Sequence, residues 1–239
     1  MKKILLLAVT FSLISCAQVQ QTLNQLPQIA SQIPTTGTVD IASGLKEALN
    51  KGITQQVSKL TAVDGFYKNE AVKILMPEEL QKVDATLRKV GLSSLADEGI
   101  KMLNRAAEDA VKEATPIFVT AVKNMTFTDA KNILLGSDNA ATNYLQTSTT
   151  TALYAKFNPV IKNSFAKVGA DAVWTKIITK YNTIPLVKKV NPDLTDYTTN
   201  QALSGVFKMI AVEEKEIRNN ITARTTPLLQ KVFAMQDGK

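Results

Sequence analysis

Histidine is missing from all 239 residues, and cysteine occurs once, at Cys16. Without an imidazole there is no Ser-His-Asp or Cys-His catalytic set, no histidine pH switch and no zinc site of the Cys/His kinds. A single thiol closes no disulfide within the chain, so this is not a disulfide scaffold. Glycine is also sparse: of 10 residues the closest two, Gly37 and Gly44, lie seven apart. Loops that cradle phosphate need glycines roughly two to five residues apart, so that backbone N–H groups can approach the ligand. Nucleotide-loop enzymes are thereby excluded. Alternating strand patterns joined by Asn-Gly or Asp-Gly turns are absent too, apart from Asp64-Gly65, which is better placed to separate two helices. No segment repeats at a fixed period.

What remains is globular in composition: 45% hydrophobic, 21% charged and 6% aromatic. That is too apolar for a disordered chain, and the length suits one domain or two small ones around a real core. The N-terminus carries the most information. Lys2 and Lys3 precede an apolar run from Ile4 to Ile14, and the run ends in Leu13-Ile14-Ser15-Cys16. Such a run is too short for a membrane-spanning helix, which needs roughly 20 residues. With basic residues before it and a small residue at its end, it has the form of an export signal over residues 1–15. The Leu-Ile-Ser-Cys box resembles the bacterial lipoprotein cleavage site, at which the thiol is acylated and the chain is cut just before it. The only cysteine stands where that chemistry needs one, so Cys16 is the expected lipid attachment residue.

Cleavage there would remove Lys2 and Lys3 and lower the formal net charge from +7 to +5. A mild basic excess suits an anionic membrane surface, and export argues against nucleic acid as a partner. Ala17 follows the cysteine, where lipoproteins kept in an inner membrane often carry Asp. The expected location is therefore the periplasmic side of a membrane, and the outer one where the host has two. Residues 16–38 hold no charge and are rich in Gln, Thr, Ser and Pro, with Pro27, Pro34 and Gly37 expected to break any regular element. They read as a flexible tether. A rival helix through Val19, Leu23, Leu26, Ala30 and Ile33 would have Pro27 inside it.

From residue 39 to about 235 the periodicity is helical, and the expected fold is a single all-α, bundle-like domain. Pro77 opens a helix with Leu80, Val83, Leu87 and Val90 on one face, closed by Gly91. Ser94 with Asp97 imitates a capping box, and Pro116 should kink or split the long helix that follows. Thr128 is the expected cap of a short helix ending at Gly136, and Asp138 opens a long stretch interrupted at Pro159 and ending near Gly169. Residues 171–181 carry Val173, Trp174, Ile177 and Ile178 inward. Asp193 with Asp196 opens a further helix, and Thr226 followed by Pro227 opens the last.

Chemistry is harder to find. Ser43-Gly44-Leu45-Lys46 and Ser137-Asp138-Asn139 imitate two signatures of serine acyl-transfer enzymes, but the third, a Lys-Thr-Gly strand, is nowhere in the chain. The carboxylate pairs Glu78-Glu79, Glu108-Asp109 and Glu213-Glu214 are adjacent in sequence, so on a helix they point about 100° apart rather than acting together. Asp138-Asn139 and Asp193-Asp196 lack the alternating ligands of a calcium loop and fit helix caps better. No metal and no cofactor is expected. Arginine is the remaining clue, four residues against 24 lysines. The arginines are Arg88, Arg105, Arg218 and Arg224, and a planar guanidinium chosen against that background often holds a fixed carboxylate. Asn104-Arg105-x-x-Glu108 places a polar cluster on an Ala-rich helix, either as a buried network fixing helix register or as a pocket for an anionic group.

Several strings run in the order of a bacterial family. They are Gly44-Leu45-Lys46-Glu47-Ala48-Leu49, Asp64-Gly65-Phe66, Asn104-Arg105-Ala106-Ala107-Glu108 and Phe127-Thr128-Asp129-Ala130. Ala140-Ala141-Thr142-x-Tyr144, Glu213-Glu214-Lys215-x-Ile217-Arg218 and Ala223-Arg224-Thr225-Thr226 follow. From about Val39 to Phe233 the chain resembles the domain of unknown function 4197, with Tyr67 and Met76 standing where other apolar residues are usual. The resemblance implies secreted or lipid-anchored helical proteins without an assigned activity. Its polar motif positions correspond to Asn104, Arg105, Glu108, Asp129, Glu213, Arg218, Arg224 and Thr225. The expected function is a binding or scaffold module in the cell envelope, held to the membrane by lipid and engaging an envelope protein or a small ligand. The alternatives are a carrier of an apolar or anionic small ligand in a helical cavity, and an enzyme without His or Cys chemistry.

Overall fold

The computed structural model describes residues 36–237, apart from 79, 80, 90, 92 and most positions between 171 and 192. The expected export signal, Cys16, most of the expected tether and the stretch around Trp174 lie outside the described residues, as do the side chains of Leu80, Val83, Leu87 and Val90. The elements that carry the polar motifs lie in the unit Asp40–Lys239.

The helices are α1 (Thr36–Thr61), α2 (Gln81–Lys89), α3 (Ser93–Val111), α4 (Ala114–Asn124), α5 (Phe127–Leu134), α6 (Ala140–Ala166), α7 (Leu194–Asn219) and α8 (Pro227–Phe233). Short 3-10 turns follow at Ile221–Ala223 and Ala234–Gln236. No strand occurs among the described residues, and the fold is all-α.

Several boundaries fall where the chain chemistry puts them. Asp193 caps α7 by accepting the Asp196 N–H at 3.0 Å, and Thr226 caps α8 with Pro227 in its first turn. Pro116 sits at the third position of α4, where a helix needs no N–H donor, and the long helix is split just before it, at Lys112 and Glu113. Gly91 and Gly169 end their helices with φ of 83° and 66°.

Four expectations need correction. The cap of α5 is Thr126 rather than Thr128: Thr126 is extended, its hydroxyl accepts the Asp129 N–H at 3.1 Å, and the Asp129 carboxylate accepts the Thr126 N–H at 2.9 Å. Ser94 lies inside α3, which begins at Ser93, and the Asp97 carboxylate is held instead by Arg88 at 2.7 Å. Pro159 does not interrupt α6. Pro159 and Ala155, whose carbonyl it cannot serve, are both exposed, so water can replace the missing donor. Gly37, expected to break structure, lies in the first turn of α1, where the backbone freedom of glycine costs less than in a helix interior.

The core is built around α6 and α7, which pack on each other and on α3. Phe118 of α4 meets Phe207 of α7 edge to face, with ring centroids 6.0 Å apart. Gly205 of α7 lets the Phe66 loop close on it: a Cβ there would stand 2.7 Å from the Phe66 ring. Along α6 the buried residues Ala141, Leu145, Thr149, Leu153, Phe157, Ile161 and Phe165 recur at every fourth position. A four-residue step overshoots a 3.6-residue turn by about 40°, so this line winds about 240° from one end of α6 to the other. That winding lets α3, α4, α5 and α7 all pack against one helix.

Candidate functional site

The motif residues do not converge on one cleft. They form separate stations, and at most of them the side chains hold backbone.

On α3, Asn104 is fully buried and clamps Ile74 from both sides. Its Oδ1 accepts the Ile74 N–H at 2.8 Å, and its Nδ2 donates to the Ile74 carbonyl at 2.8 Å and to the Ile100 carbonyl at 2.7 Å. One turn on, the buried Glu108 accepts the backbone N–H groups of Phe66 at 3.1 Å and Tyr67 at 3.4 Å. Arg105 bridges Glu108 Oε2, at 2.5 Å, to the Asp64 carboxylate. Asp64 is itself unusual, with φ of 68° in the left-handed region that Asp tolerates better than most residues. The Lys68 ammonium beside it, and then Arg105, hold its carboxyl below the usual carboxylate range. Together these groups pin the loop between α1 and α2 onto α3.

On α7, Glu214 and Arg218 stand between two helix ends of opposite polarity. Glu214 accepts the Ala141 N–H at 2.9 Å, and the Thr142 N–H and hydroxyl each at 2.8 Å, so it caps the N-terminus of α6. Arg218 donates to the Ile133 carbonyl at 2.8 Å and the Leu134 carbonyl at 3.2 Å, capping the C-terminus of α5. The two pair with each other at 2.8 Å, and both side chains are about 95% buried. Anion at the N-terminus and cation at the C-terminus is the arrangement that helix dipoles favour. Asn139, the residue before α6, makes no cap bond of its own, which leaves the place to Glu214.

Arg224 closes the far end of α7. It donates to the Ile217 carbonyl at 3.1 Å and the Arg218 carbonyl at 2.9 Å, and it forks onto Asp237 at 2.6 and 2.7 Å. That bond holds the Asp237 carboxyl below its usual range. A carboxylate whose pKa is lowered in the folded state adds stability above its unfolded value, near 4, and loses it as pH falls through the lower folded value. Protection of the Ala234–Gln236 amides, taken relative to the intrinsic exchange rate at each pH, should therefore hold near neutrality and fall as the pH is taken below about 4, well before the buried helices open.

The remaining positions stand apart. Asp129 serves the Thr126 cap. Glu213 accepts from the Gln56 amide at 2.6 Å, and exposed Thr225 accepts from Lys51. It is Glu214, one residue on, that meets Arg218, as its four-residue spacing allows and the five-residue spacing of Glu213 does not. The two serine strings engage other groups: Lys46 donates to the distant Lys123 carbonyl at 3.0 Å, and Ser137 to the neighbouring Asn139 side chain at 2.9 Å. Sequence reasoning missed Asp64, Glu214 and Asp237. Glu214 carried a signal in its i,i+4 spacing to Arg218, Asp64 only in the string Asp64-Gly65-Phe66, and Asp237 none.

Beside the Glu214–Arg218 pair lies an apolar pocket of about 30 Å³, walled by Leu45, Ile53, Ile210 and Phe233. It has room for a couple of water molecules. No group of three or more acidic side chains among the described residues is placed to hold a metal, and no described helix is long and apolar enough to cross a membrane.

This arrangement defines a helical body whose ordered polar motifs tie its own helices and loops together. The family model described as "Protein of unknown function (DUF4197)" matches residues 35–234, and the chain belongs to that family. No curated protein and no solved structure matches the chain.

Proposed function

We propose that this is an exported, lipid-anchored protein of the cell envelope whose helical body works as a binding or scaffold module. The observation that carries the anchoring is Cys16, the only thiol, placed directly after an apolar leader that ends in Leu13-Ile14-Ser15. Acyl chains on that sulfur would hold the body at the periplasmic face, each buried CH₂ contributing about 0.8 kcal/mol. Ala17 favours the outer membrane. The binding role is supported by where the polar motifs go: Asn104, Glu108, Glu214 and Arg218 are buried on backbone groups, which leaves the outer surface to engage a partner. The apolar pocket beside Glu214 and Arg218, about 30 Å³, gives an apolar ligand little room there.

Cys16→Ser should move the protein from the membrane to the soluble fraction on cell fractionation. A variant that stays with the membrane overturns the anchoring. For the module itself, crosslinking in intact cells followed by pull-down should recover a reproducible envelope component, and recovery of the protein alone counts against it.

A further inference from the structure

Between Asp138 and Lys156 the chain has no charged side chain, although α6 exposes much of this stretch to solvent. Its outward positions hold amides and hydroxyls: Asn143, Gln146, Thr147, Ser148, Thr150 and Thr151. Thr and Asn cost a helix about 0.5 kcal/mol each relative to Ala, and charged residues are the usual surface choice, so helix stability does not account for this face. Beside it runs an open groove of about 510 Å³ between α6 and α7. Asn143, Gln146 and Thr150 form one wall, and Asn200, Ser204 and Lys208 the other. The Asn200 amide is held by Asp196 at 3.0 Å, and the Thr150 hydroxyl by the Gln146 carbonyl at 2.6 Å. Asn143, Gln146, Ser204 and Lys208 have no side-chain partner among the described residues.

We infer that this groove binds a neutral glycan bearing hydroxyl and acetamido groups. A carboxamide sets N–H donors beside a carbonyl acceptor, which suits vicinal hydroxyls and secondary amides alike. The volume lies within the roughly 300–1,000 Å³ of small-ligand sites. Other ligands are poorly served. Nucleic acid needs a basic track, and Lys208 is the one cation lining the groove. Peptides are taken by strand addition at a sheet edge, by apolar grooves, by exposed aromatic rails or by arginine clusters. The groove has no sheet edge and no arginine, and its one aromatic lining residue, Phe207, is buried.

The inference names a ligand for the module proposed above, but its test in solution is independent of whether Cys16 is acylated. Calorimetric titration of the full chain in detergent micelles with chitotetraose should give saturable binding. Asn143→Ala with Gln146→Ala, both exposed, should weaken it about tenfold, as loss of two neutral hydrogen-bonding groups implies. Ser204→Arg, which fills the groove, should abolish it. Circular dichroism melting keeps each variant's folding in view. Chitotetraose binding left unchanged by both variants overturns the inference. So does failure of chitotetraose to bind, whether or not an uncharged extended peptide binds in its place.

Discussion

Glu214→Ala should cost about 3–5 kcal/mol of folding free energy, the scale for leaving a buried charge without its partner. The substitution strips three hydrogen bonds from the start of α6 and leaves the Arg218 guanidinium facing only the carbonyls of α5. Since domains of this kind are stable by roughly 5–15 kcal/mol, the variant should sit near the edge of folding, with a urea midpoint far below that of the parent. Asp109→Ala provides the contrast. Its ion pair with Lys112 is more than half exposed on both sides, and such pairs contribute about 1 kcal/mol or less. Replacing both buried partners, Glu214→Leu with Arg218→Met, should recover part of the loss, because no unpaired charge then remains inside. A Glu214→Ala midpoint close to that of Asp109→Ala would mean that α6 does not depend on this cap.

Asn104 is the second sensitive position. Asn104→Ala leaves the N–H and the carbonyl of Ile74 without their partner in a buried site, and unsatisfied groups of that kind cost about 1–3 kcal/mol each. The expected loss is about 3 kcal/mol. Asn104→Asp should be worse despite its closer shape. The Nδ2 that donates to the Ile74 and Ile100 carbonyls becomes an oxygen, so acceptor would face acceptor with a charge added. Hydrogen exchange locates the damage: the amides of Phe66 and Ile74 should lose protection first, while those of α6 keep theirs. If Asn104→Asp and Asn104→Ala prove equally stable, the donor side of the clamp carries no weight.

These two sites show how far the sequence could be read. Helical class, the split ahead of Pro116, and the caps at Asp193 and Thr226 were legible because each depends on residues within a turn of one another. The same local logic failed at α5. Thr126 and Thr128 are both plausible caps there, and the reciprocal bond of Asp129 decides between them. Pro159 was misread because exposure, which sequence period alone does not fix, determines what a helical proline costs. Among the site residues, Arg105 and Glu108 met as their three-residue spacing implied. The partners that give those residues their work were out of reach. Asn104 acts on Ile74 across 30 residues and Glu214 on Ala141 across 73, and no short-range pattern encodes either. The family strings marked the right neighbourhoods without saying that the motif residues would serve the chain's own backbone.

The spiral of buried side chains along α6 has a consequence for how the body comes apart. Ala141 and Phe165 point to different sides of the same helix, so the buried face of α6 turns along its length. Because four helices pack on this one axle, none can peel off as a lid without baring part of it. Heating should therefore give one sharp transition that far-ultraviolet and near-ultraviolet dichroism trace at the same temperature.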